Sequence, residues 1–100
     1  MKYARFEDLP VWQLASNLAV RVFSMGEKAV LRRHRSLRDQ IERAALSVSN
    51  NIAEGFERGT TNELLAFLYI ARGSSGEVRS CFASWKVWLL LLTSKQKFQT

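Results

Sequence analysis

Residues 40–58 read Gln40-Ile41-Glu42-Arg43-Ala44-Ala45-Leu46-Ser47-Val48-Ser49-Asn50-Asn51-Ile52-Ala53-Glu54-Gly55-Phe56-Glu57-Arg58. With Leu37 ahead of them, Ile41, Ala44, Ala45, Val48, Ile52 and Phe56 recur at steps of three and four, the period of a helix with one apolar side. No proline interrupts the stripe. Beside it runs a second, polar stripe of Gln40, Arg43, Ser47, Asn51, Glu54 and Arg58. Two readings of that polar stripe stand: a solvated face with a helpful Glu54–Arg58 pair, or a polar network buried between helices or subunits. Asn50 and Asn51 are weak helix formers whose amides need partners when placed mid-helix.

Working outward, Ser36 with Asp39 resembles a capping box, and Gly59 supplies a helix stop. Thr60 with Glu63 gives a second capping box. A third stripe follows: Leu64, Phe67, Leu68, Ala71, Ser75, Val78, Phe82, Trp85 and Leu89. Upstream, Asp8-Leu9-Pro10 marks a helix start and Ser24-Met25-Gly26 its end, with glycine expected in the left-handed cap conformation. No alternation of apolar and polar residues suggests a strand. The pattern predicts a single all-α domain over 1–100, with helices near 9–24, 36–58 and 61–92, and a frayed polar tail at 93–100. The third helix carries a second face of small residues, Ala66, Ile70, Gly73, Ser74, Glu77, Cys81 and Ser84. Gly73 and Gly76 each cost a helix about 1 kcal/mol relative to alanine. Close approach by another helix is the expected offset, and an oligomer follows from two packable faces.

The composition excludes several classes. One hundred residues make one domain, marginal alone and prone to self-association. A lone cysteine, Cys81, builds no disulfide scaffold. The apolar run Val87 to Leu92 is far shorter than a bilayer span, so no membrane association is expected and a cytoplasmic location is. One histidine and one cysteine form no zinc set, so neither metal nor other cofactor is expected. The carboxylates suit salt bridges better than acid–base work, although a Glu54/Glu77 pair would serve a hydrolase if both lined one cleft. No catalysis is expected.

Fifteen Lys and Arg against nine Asp and Glu give a net charge of +6. Lys28, Arg32, Arg33, Arg35, Arg38 and Arg43 concentrate in one segment, with Arg32, Arg33 and Arg35 just ahead of the second long helix. Arginine forks suit phosphate oxygens and track a backbone without reading sequence. A solvated loop that aids solubility is the competing reading. No interleaved aromatic residue accompanies the cluster, which argues against a single-strand reader.

Three motifs, and an N-terminal stretch that fits as well, then resemble a known family. Ser49-Asn50-Asn51-Ile52-Ala53-Glu54-Gly55-Phe56-Glu57-Arg58 is preceded by Gln40-Ile41-Glu42-Arg43-Ala44-Ala45. Downstream lies Phe67-Leu68-Tyr69-Ile70-Ala71-Arg72-Gly73-Ser74 with Glu77, and Phe6-Glu7-Asp8-Leu9 with Val11-Trp12 opens the chain. Together they resemble the four-helix-bundle proteins of the 23S rRNA intervening sequence family. The resemblance implies an antiparallel up-down-up-down four-helix bundle, in related members a ring of five, found in intervening sequences of 23S rRNA genes and as small bacterial proteins. It also implies kinship with the accessory protein of diversity-generating retroelements, a basic pentamer that binds nucleic acid and a reverse transcriptase. No catalytic residue is carried over. Asn51, Glu54, Arg58, Gly73 and Glu77 are expected to hold the bundle or ring together. After Trp85 the chain departs from the pattern, so the fourth helix is expected to be short, truncated or missing, leaving apolar surface for a partner. The function expected is a non-enzymatic homopentamer binding RNA or DNA non-specifically; the alternative is a protein-assembly module, such as a reverse-transcriptase accessory, without nucleic-acid contact.

Overall fold

The computed structural model describes residues 2–99, and the side chains of residue 29 and residues 95–99 lie outside the description. Among these residues the chain is helical throughout: a 3₁₀ turn at Phe6–Asp8, then α1 (Pro10–Gly26), α2 (Ala29–Arg32), α3 (Arg35–Glu57) and α4 (Thr61–Gln99). The three long helices are those expected, and the remaining element, α2, is a single turn between the first two of them. The body measures 62 × 22 × 19 Å, so the helices lie lengthwise.

The apolar stripes meet in two clusters. Ala19 and Val22 of α1 meet Ile41, Ala44 and Ala45 of α3 and Val78 and Cys81 of α4, with Leu31 plugging the end. Leu9 and Ala15 meet Val48, Ile52 and Phe56, and Ala71 of α4. Later residues of α1 thus lie with earlier residues of α3, and earlier residues of α3 with later residues of α4. Sequence-adjacent long helices therefore run in opposite directions. Helix α3 is central and touches both flanking helices. Among the described residues, no Cα of α1 comes within 8 Å of one in α4.

Caps explain where elements begin. Thr60 and Glu63 form the capping box: the Glu63 amide donates to Thr60 Oγ1 at 3.2 Å, and the Thr60 hydroxyl donates to Glu63 Oε1 at 2.9 Å. Gly59 has φ +89°, a left-handed conformation that side-chain-bearing residues rarely adopt. The other two caps differ from expectation. Asp8 belongs to the 3₁₀ turn and Leu9 is the N-cap of α1, with Gln13 Nε2 donating to the Glu7 carbonyl instead. Helix α3 starts at Arg35, one residue before Ser36, from His34 and without a side-chain cap.

Two glycine expectations also change. Gly26 does not take the left-handed conformation; it is buried, and a Cβ there would stand 2.6 Å from Glu42 Oε2 and 3.0 Å from Arg38 Nε. Its smallness serves packing. Gly73 and Gly76 meet nothing within 4 Å, because they lie on the outer side of α4. Close approach occurs at Gly55 instead, whose Cβ would stand 2.5 Å from Phe67 Cβ and 3.3 Å from Leu64 Cα.

The third helix continues where a polar tail over 93–100 was expected. Lys and Gln are good helix formers, and neither glycine nor proline follows Gly76 to end the helix; Thr100 lies outside the described residues. Its 39 residues span about 58 Å at 1.5 Å each. Trp88 lies against His34, just ahead of α3, so the turns after Trp88 overrun α3. Leu90 and Leu91 are each 59% exposed there.

The glycines yield a paired expectation. Gly55→Ala pushes a methyl into Phe67 and backbone and should lower the urea-derived stability by about 1–3 kcal/mol. Gly26→Ala meets only the ends of flexible side chains and should be near neutral, with a loss below about 1 kcal/mol. Equal losses would overturn the assignment of the close approach to Gly55.

Candidate nucleic-acid interface

Helix α2 is a single turn held by one anchor. Leu31 is 2% exposed and inserts into the cluster formed by Val22, Ile41 and Val78. Burying one leucine side chain contributes about 2 kcal/mol, enough to hold a four-residue turn against the bundle end. Lys28, Arg32, Arg33 and Arg35 around that anchor are exposed. Among the described residues none of these four has a carboxylate within 4.0 Å.

Arg38 and Arg43 depart from the group. The Arg38 guanidinium donates from Nε to Glu42 Oε2 and from Nη2 to Glu27 Oε1, both at 3.3 Å. That bracing joins α3 to the end of α1. Arg43 lies eight residues into α3, beside a hollow that it shares with Gln40, Ala44, Ser47 and Glu77. The expected basic segment thus divides into four exposed cations at the turn, one brace and one cation farther along α3.

The expectation that no aromatic residue joins the cluster is overturned. Antiparallel packing brings Trp85 and Trp88 of α4 against the turn before α3. His34 and Trp88 pack edge to face, with ring centroids 4.5 Å apart at 78°. Arg33, Arg35 and Ser36 on one side and Ser84, Trp85 and Trp88 on the other line a hollow of about 560 Å³. Trp85 Nε1 is buried without a hydrogen-bond partner. The signal was the tryptophan spacing on α4; pairing it with His34 needed the hairpin register.

The polar residues assigned to assembly fall into different settings. Asn51 Nδ2 donates to the Ser47 carbonyl at 2.7 Å and to Ser47 Oγ at 2.9 Å. Ser47 Oγ lies 2.8 Å from Ser74 Oγ, carrying the chain of hydrogen bonds from α3 to α4. Ser74, a member of the small-residue face, is therefore part of the α3–α4 contact. Arg58 Nη2 donates to Glu54 Oε1 at 3.3 Å, its Nη1 lies 3.9 Å from Glu63, and its guanidinium covers the Phe67 ring at 5.2 Å. Gly73 is exposed with nothing packed against it, and Glu77, also exposed, lines the hollow beside Gln40, Arg43 and Ser47 of α3.

A family model described as 23S rRNA-intervening sequence protein matches residues 7–96, and the chain belongs to that family. No curated protein and no solved structure matches the chain.

Chemically the surroundings offer hydrogen-bond donors more than reactive groups. The hollow that Glu77 lines does not include Glu54, which pairs with Arg58 instead. Among the described residues, no three His, Cys, Asp or Glu gather as a metal site. No described helix is long and apolar enough to cross a membrane. Burial pushes the Cys81 thiol above its ordinary pKa, and the charge of Glu77 adds to the shift. The thiolate is the reactive species, so Cys81 should react with a disulfide reagent at pH 8 at least ~10-fold more slowly in the folded chain than in denaturant. Equal rates would show that the thiol is not packed as described.

Proposed function

We propose that this member of the 23S rRNA-intervening sequence protein family is a non-enzymatic homo-oligomer, a pentamer by preference, that holds RNA or DNA by its phosphates. The observation that carries this reading is the exposed turn of Lys28, Arg32, Arg33 and Arg35, without a carboxylate partner among the described residues. Arginine and lysine displayed this way neutralise phosphates and release counterions, and contacts of that kind carry no sequence information. A ring repeats the turn once per subunit and multiplies the contacts a strand makes.

Assembly is supported by apolar surface on the same chain. Leu14 is 71% exposed on α1 and Tyr69 is 70% exposed on α4, with Val20, Leu65 and Ile70 also exposed. Burial of such residues drives association. Gly73 is exposed on the outer side of α4, where a second copy has room to approach closely. The same apolar surface favours a second reading, a protein-assembly module such as a reverse-transcriptase accessory that makes no nucleic-acid contact.

Two measurements separate these readings. Light scattering should give about five times the 11.5 kDa chain mass, and Gly73→Leu should lower that mass. A monomer, or a mass unmoved by the substitution, overturns the ring or its placement on Gly73. For nucleic acid, affinity for a generic duplex should fall steeply with salt. Replacing Arg32, Arg33 and Arg35 with serine should reduce the log–log slope by about 3, one per lost phosphate contact. Affinity independent of salt would favour the assembly module.

A further inference from the structure

Phosphate contact alone leaves the hollow at the start of α3 unexplained. Its volume, about 560 Å³, exceeds what a lone phosphate needs and falls within the ~300–1,000 Å³ of small-molecule sites. None of its lining residues is acidic. Trp85 Nε1–H is buried without an acceptor, and an unpaired buried donor is costly unless something fills the place opposite it. The first turn of α3 has neither a side-chain cap nor an acidic residue, so no side chain satisfies its leading amides. Trp88 packs at a steep angle to His34 and stays 39% exposed, which leaves part of the indole open to a flat ring. Arg33 and Arg35 flank these groups.

Flat aromatic surface and two guanidinium groups around one open hollow match a single chemical unit: a planar heterocycle carrying a phosphate. We infer that the hollow between Trp88, Trp85 and Arg33/Arg35 receives one unpaired nucleotide of a nucleic-acid strand, its base stacked on Trp88 and its phosphate held by the arginines. The inference rests on the phosphate-binding reading above and adds to it a preference for unpaired over paired nucleotides. A base in a duplex has both faces covered by its neighbours and cannot enter. Lys28 and Arg32 at the ends of α2, exposed on the segment that leads into the hollow, are available to adjoining phosphates, which favours a strand over a free nucleotide.

The test uses the whole chain and a labelled ten-nucleotide strand, as RNA and as DNA, beside a duplex of the same sequence and free AMP. At matched salt, at least one of the single strands should bind more tightly than the duplex and should quench tryptophan emission. Trp88→Leu should weaken single-strand binding about tenfold and leave duplex binding unchanged. Ser84→Leu, which fills the hollow from an exposed helix position and keeps Trp88, should do the same and guards against a Trp88 variant that fails to fold. Equal losses for strand and duplex, or none for either, overturn the stacking site while phosphate binding survives. Loss of all salt-dependent binding in the unaltered chain overturns both readings. If free AMP binds as tightly as the strand, the occupant is a mononucleotide and the strand assignment fails.

Discussion

The approach of α3 to α4 at Gly55 sets everything downstream of it. A Cβ at that position would overlap Phe67, so hydrogen alone lets the two helices close just before the Gly59 turn. Rigid helices in contact keep step, and fixing one pair fixes the others. Ser47 therefore reaches Ser74, and still farther from the turn His34 reaches Trp88. Register converts a small-residue contact at one end into an aromatic contact at the other.

Electrostatics follow the same geometry. Arg58 and Arg38 are occupied by carboxylates near the two ends of α3, while Lys28, Arg32, Arg33 and Arg35 extend from a turn pinned by Leu31. Exposed ion pairs such as Arg58–Glu54 contribute well under about 1 kcal/mol each. Their larger effect is on availability, because a guanidinium already facing a carboxylate is a poorer phosphate ligand than one facing water. Position around α3 thus sorts similar arginines into those paired with carboxylates and those left exposed.

Much of the architecture was legible in residue spacing, because helical periodicity and the Gly59–Thr60–Glu63 signal are local. The stripes Ile41–Phe56 and Leu64–Trp85 became the packed faces for that reason. The glycines were harder. Gly26 looked like a conformational cap and is a packing residue, whereas Gly73 looked like a packing residue and faces outward. A glycine's role depends on what stands opposite, which its own helix does not encode. The Trp88–His34 contact was illegible for the same reason, since it joins residues far apart in sequence whose meeting depends on hairpin register.

The central position of α3 also bears on the chain's history during synthesis. A ribosome delivers α1 first, and its apolar side has no Cα-level approach to α4 to wait for. Docking of α1 begins only once Arg35–Glu57 has left the exit tunnel, and α4 then closes over a pair already formed. Early α1 is thus a nascent segment with uncovered Ala15, Ala19 and Val22, the kind of surface that chaperones meet.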